Sequence, residues 1–120
     1  MKLMLTLLLL VGAVAFTSCK KLPSVVTISG KVTDEARQPF EGVQISVFDE
    51  PWFSGYGIVG SDWYTDVNGD YQVDFEPSRS SGQYSIRFEI TKDDNLYSYS
   101  CDVDKYQAVQ IINVVLTKND

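Results

Sequence analysis

The chain has 120 residues, sixteen acidic and ten basic side chains, a net charge of −6, two cysteines and no histidine. That length fits one domain, and the acidic balance argues against a nucleic-acid partner, which asks for a basic face. Without histidine, catalytic triads built on it and most zinc or haem sites are closed, so no metal or other cofactor is expected; 44% hydrophobic residues with 12% aromatics are too many for a disordered chain.

Behind Met1-Lys2 comes an uncharged apolar run of fourteen residues, Leu3 to Phe16. A bilayer core needs about 20, so the run reads as a secretory signal peptide rather than a membrane span. Phe16-Thr17-Ser18-Cys19 resembles the lipobox of bacterial lipoproteins. That resemblance implies a diacylglyceryl group on the Cys19 sulfur and cleavage that leaves Cys19 as the first residue. Residues 1–18 are then the signal peptide, and 19–24 the lipidated N-terminus and tether. Ordinary cleavage after Ala13-Val14-Ala15 is the alternative, with Cys19 left as a thiol. Two or more acyl chains, palmitate among them, hold a protein to a membrane stably where one does not. Lys20 and Lys21 fall at the headgroup level, and Lys20 in place of an aspartate after the cysteine implies, by the same resemblance, the outer membrane of a Gram-negative cell. Once Cys19 is acylated, Cys101 is the only thiol left; a Cys19–Cys101 disulfide is the other outcome. With no histidine to activate it, Cys101 reads as a small buried hydrophobe.

Pro23 keeps the tether extended, and everything beyond it alternates with period two. The first strand sets Val26, Ile28, Gly30 and Val32 against Thr27, Ser29 and Lys31. The second sets Val43, Ile45 and Val47 against Gln44 and Ser46. A third runs from Ile58 to Thr65, and a fourth places Tyr71, Val73 and Phe75 opposite Gln72 and Asp74. Tyr84, Ile86, Phe88 and Ile90 mark the fifth; Tyr97, Tyr99, Cys101 and Val103 mark the sixth. The seventh, Val109 to Leu116, is apolar on both faces apart from Gln110 and Asn113. Asp66-Val67-Asn68-Gly69 and Lys92-Asp93-Asp94-Asn95 have the residues that tight hairpins need for positive φ. The expected fold class is all-β: a seven-stranded antiparallel Greek-key sandwich over residues 25–117, with 118–120 as a C-terminal tail.

Two patterns carry a family resemblance. Ile28-Ser29-Gly30-Lys31-Val32-Thr33-Asp34 followed by Pro39-Phe40-Glu41-Gly42-Val43-Gln44-Ile45 is one; Thr65-Asp66-Val67-Asn68-Gly69-Asp70-Tyr71-Gln72-Val73 is the other. Together they resemble the carboxypeptidase regulatory-like domain, a prealbumin (transthyretin)-like β-sandwich found in bacterial surface lipoproteins. The resemblance implies structural roles for Gly30, Gly42, Asp34, Pro39 and Gly69 and no catalytic one. A related prealbumin-like group hydrolyses 5-hydroxyisourate with His, Arg and a C-terminal Tyr-Arg-Gly-Ser; this chain has no histidine and ends Leu116-Thr117-Lys118-Asn119-Asp120.

Asp66, Asn68 and Asp70 open like a calcium loop, but Tyr71 and Pro77 stand where glycine and a bidentate glutamate are required. The expected binding feature is the loop Glu50-Pro51-Trp52-Phe53-Ser54-Gly55-Tyr56-Gly57, because flat rings on a glycine-rich loop supply contact area at low entropic cost. Trp52, Phe53 and Tyr56 are the candidate ligand-binding residues, with capping of one end of the sandwich as their other reading; Trp63 and Tyr64 either extend the patch or face inward. The functional expectation is a lipid-anchored, non-enzymatic binding or accessory module of the cell envelope. Its partners would be the membrane through Cys19 and a glycan or envelope protein, in a surface uptake or assembly system. The alternative is an interaction subunit that pairs through an exposed edge strand.

Overall fold

A computed structural model describes residues 21–51 and 57–119. Among them every regular element is a strand: β1 (Val26–Thr33), β2 (Gln44–Pro51), β3 (Gly57–Tyr64), β4 (Asp70–Phe75), β5 (Ser81–Lys92), β6 (Asn95–Val103), β7 (Val109–Ile111) and β8 (Val114–Val115). The first sheet has the order β4-β1-β7, with β8 also on β1, and the second the order β3-β2-β5-β6. Alternation in the sequence becomes burial here: Val26, Ile28 and Val32 of β1, Val73 of β4, Ile45 and Val47 of β2, and Ile86 and Phe88 of β5 face one another with no exposed surface. Edge-on ring contacts join the layers, Tyr71 with Phe88 at 5.2 Å and Phe40 with Tyr97 at 5.2 Å.

Three features differ from the sequence expectation. The seventh strand is two short strands, so the described chain has eight. It also runs parallel to β1, pairing Thr27 with Val109 and Val32 with Val114, so the sandwich is not wholly antiparallel. The break at Ile112-Asn113 is built around Gly30. A Cβ there would collide with the Ile112 carbonyl, which instead accepts the Tyr71 hydroxyl at 2.6 Å, while Asn113 Oδ1 accepts the Lys31 amide at 2.9 Å. The third difference is the Asp66–Gly69 turn, which is a corner rather than a hairpin. β3 pairs with β2 and β4 with β1, so the turn carries the chain between sheets. Gly69 takes φ +77°, Asp66 Oδ1 accepts the Asn68 and Asp70 amides, and buried Thr65 bonds the Phe40 carbonyl and the Val43 amide. The 92–95 turn is the expected tight hairpin, with Asp93 and Asp94 at φ 53° and 62° and Lys92 paired with Asn95.

The connections sort to two ends. At one end lie the start of β1, segment 76–80 from β4 to β5, segment 104–108 from β6 to β7, and the stems of the β2–β3 loop, Pro51 and Gly57. At the other lie segment 34–43, the Asp66–Gly69 corner, the 93–94 hairpin and residues 116–119, where Lys118 bridges Tyr97 and the Asn119 amide bonds the Leu96 carbonyl.

Candidate functional site

Cys19, Trp52, Phe53 and Tyr56 lie outside the described residues. The described residues on either side, Pro51 and Gly57, end β2 and begin β3, where Asp49 pairs with Gly57. Trp63 faces inward and packs on the core, with its ring over Gly60; Tyr64 faces outward and is exposed.

Below those stems, on the outer face of the second sheet, is a depression of about 300 Å³ lined by Phe48, Ser85, Arg87 and Ser100. The pairing puts these residues on one face. Val47 is fully buried, so Phe48 must point the other way, and it pairs across to Ser85 while Ser46 pairs to Arg87 and Arg87 to Ser100. The Arg87 guanidinium carbon sits 5.9 Å from the Phe48 ring centroid. Its Nη2 and Nε donate to Glu89 Oε2 at 2.6 and 3.2 Å, and Nη1 has no partner among the described residues. Ile58, the β3 partner of Phe48, is 62% exposed and widens the apolar rim. A flat ring, a planar cation held beside it and two hydroxyls suit a ligand with an apolar face, hydroxyl groups and a negative charge.

This depression was missed by sequence reasoning, yet it left a signal: Phe48 is an aromatic residue on the face of β2 that carries Gln44 and Ser46. A second depression, about 420 Å³, lies around the corner of β5 and β6 and is lined by Gln83, Asp102 and Tyr106 among others. There Lys105 is buried, its ammonium donating to the carbonyls of Ser78 (3.3 Å) and Ser81, while Tyr84 Oη accepts the Ser78 amide at 2.9 Å. These bonds fasten segments 76–80 and 104–108 to each other. Asp49 Oδ1 is buried beside the β2–β3 stem with no hydrogen-bond partner among the described residues.

Cys101 is a partly buried free thiol packed against the core. Burial, and then the Asp102 charge, push its pKa up, against a lowering hydrogen bond with Tyr99. Tyr71 is pushed far up, first by burial and then by Cys101. Both groups therefore stay neutral at physiological pH.

No family model matches the chain, and no curated protein does. Solved structures do. A 9R-lipoxygenase from Cyanothece matches at 15% identity over 80% of this chain and 17% of that one, with a TM-score of 0.53. The major pilin subunit BcpA of Bacillus cereus matches at 14% identity over 79% and 29%, TM-score 0.48. Transthyretin from Sparus aurata matches at 12% over 77% and 93%, TM-score 0.47. The chain thus spans under a third of the lipoxygenase and of the pilin, and likeness at these identities concerns the fold alone. It does correct one expectation. A segment of a lipoxygenase, 17% of that chain, shares this fold. A small acidic sandwich of this kind therefore does not separate enzymes from other proteins, and the expectation that the chain is not an enzyme is withdrawn.

Proposed function

We propose that the protein is a lipid-anchored module of the bacterial cell envelope, held in the outer membrane through Cys19, that binds an acidic envelope glycan on the outer face of its second sheet. The observation that carries the binding reading is the Phe48–Arg87 depression, where a guanidinium is held against a ring by Glu89 and faces two serine hydroxyls. The anchoring reading rests on the apolar run to Phe16 and on Cys19 at its end. With β7 and β8 counted as one interrupted strand, the fold is a seven-stranded Greek-key plan of the prealbumin-like, carboxypeptidase regulatory-like kind. The two sequence patterns around Gly30 and Gly69 support that assignment.

The test is retention of the purified protein on acidic and neutral envelope polysaccharides. Phe48→Ala and Arg87→Ala should each abolish retention on the acidic ones. Arg87→Ala should shift Tm little, because its ion pair is half exposed and worth at most about 1 kcal/mol. Retention of both variants at the level of the unaltered protein would refute the glycan reading. For the anchor, the mass of the mature N-terminus decides between an acylated Cys19 and an unmodified chain cut after Ala15.

A second reading has its own observation. Val109, Ile111 and Val115 line the β7–β8 edge of the first sheet at 66%, 72% and 56% exposure, and an apolar edge of this sort suits a protein partner that adds a strand. A partner co-purified from membranes that survives Phe48→Ala and is lost in Ile111→Lys would favour it.

A further inference from the structure

The mature chain would attach to the bilayer at Cys19 and enter the sandwich at Val26. Even fully extended, the backbone between those residues reaches only about 25 Å. The same end of the sandwich carries segments 76–80 and 104–108, clamped by the Lys105 ammonium and the Tyr84 hydroxyl. Val25, Tyr106 and Val109 are exposed apolar groups there; the exposed cations Lys21, which precedes β1, and Arg79, in segment 76–80, belong to the same end. The opposite end holds Asp34, Glu35, Glu41, Asp66, Asp93 and Asp94 in its loops, and Arg37, Lys92 and Lys118 offset half of that charge. β5 has twelve residues, which separates the two ends by about 40 Å.

We infer that the protein stands on a phospholipid headgroup surface on this tethered end, with Val25 and Tyr106 at the interface and the acidic end turned away. The inference rests on the lipid anchor proposed above. Two physical terms set the orientation. The tether is too short for the sandwich to stand inverted, because resting on its far end would lift Val26 about 40 Å from the surface. An anionic leaflet repels the acidic loops, so tipping over brings like charge to like charge. Glu76 and Asp104 sit at the tethered end too, so charge attraction does not hold this face down. The covalent lipid does, and Tyr106 supplies an amphipathic ring suited to the headgroup layer.

The experiment uses the full acylated chain carrying Cys101→Ala, with a nitroxide label on Tyr106→Cys or on Glu35→Cys, in phosphatidylethanolamine–phosphatidylglycerol vesicles. Collision with oxygen, which concentrates in lipid, is compared with collision with an aqueous nickel chelate. The oxygen-to-nickel ratio should be several-fold higher at position 106 than at position 35. Equal ratios, or a higher ratio at 35, overturn the orientation. Flotation with the vesicles and the mass of the N-terminal peptide separate the two readings. A chain that is acylated and floats but gives equal ratios refutes the orientation alone. A chain that is neither acylated nor floating refutes the anchor and the orientation together.

Discussion

Gly30→Ala tests the central joint of the first sheet. The added methyl would collide with the Ile112 carbonyl, a backbone group of the break between β7 and β8. Something must separate, and the β7–β8 segment, short and at a sheet edge, is the part that gives. Three hydrogen bonds depend on its position: Tyr71 Oη to the Ile112 carbonyl at 2.6 Å, the Ile112 amide to the Ser29 carbonyl at 2.9 Å, and the Lys31 amide to Asn113 Oδ1 at 2.9 Å. At about 1 kcal/mol each, their loss costs about 3 kcal/mol. The lower chain entropy of alanine in the unfolded state returns about 0.4–1 kcal/mol. The expected net loss is about 2–3 kcal/mol, and Tm falls by about 10–20 °C for a domain of this size. Urea unfolding followed by the fluorescence of Trp63, which packs against the core, reads the loss directly. Tyr71→Phe alone should cost about 1 kcal/mol. In the double variant the two effects should fall short of their sum, because the hydroxyl bond is lost only once. A Gly30→Ala loss below about 1 kcal/mol, or strict additivity with Tyr71→Phe, would refute the account of the joint.

Thr65→Val removes the hydroxyl that ties the Asp66–Gly69 corner to Phe40 and Val43 and leaves a buried amide and carbonyl unpaired; urea unfolding should show a loss of about 2–3 kcal/mol. Lys105→Met keeps the buried stem but drops the ammonium bonds to Ser78 and Ser81, so amide exchange should speed up in residues 78–82 while β1 keeps its protection. Alkaline pH should destabilise the fold. Tyr71 and Cys101 have raised pKa values in the folded state, so their contribution is complete below the unfolded values and is lost as pH rises past them. Between about pH 8 and 11 the urea midpoint should therefore fall, and fall less steeply in Tyr71→Phe. A Tyr71→Phe profile as steep as that of the unaltered chain would count against this origin.

How legible the fold was depended on whether the deciding contact was local. β1, β2, β4 and β5 could be read because each buries one face, and burial on one face writes period two into the chain. The 92–95 hairpin was legible for the same reason: positive φ at Asp93 and Asp94 is a requirement of those residues themselves. The break between β7 and β8 was not legible, because its cause is Gly30, on another strand and far away in sequence. The Asp66–Gly69 turn shows a different limit. Its residues permit the same tight turn in a hairpin and in a corner, and only the partners of β3 and β4 decide between them. At the candidate site, Phe48 was visible as a ring out of phase with its strand. Arg87 and Glu89 fall in phase with the outward face of β5 and give no signal of their own, since their meaning depends on Phe48 lying one strand away.

The proposed site and the proposed orientation constrain each other. Phe48 lies three residues from Pro51, about 10 Å along β2 from the tethered end. With that end on the headgroups, the depression sits low on an upright wall and opens sideways rather than outward. A ligand reaching it must then be a polymer or a partner lying close to the membrane surface, since one approaching from above meets the acidic loops first. Lengthening the tether between Lys21 and Ser24 with a flexible Gly-Ser stretch separates these roles. A twenty-residue insert adds a root-mean-square reach of about 25 Å, which frees the tethered end from the bilayer but leaves the Phe48–Arg87 geometry untouched. Binding of soluble acidic oligosaccharide should then be unchanged, whereas capture of polymer fixed at the membrane surface should weaken. If both change together, the site depends on contact with the membrane and the depression alone does not bind.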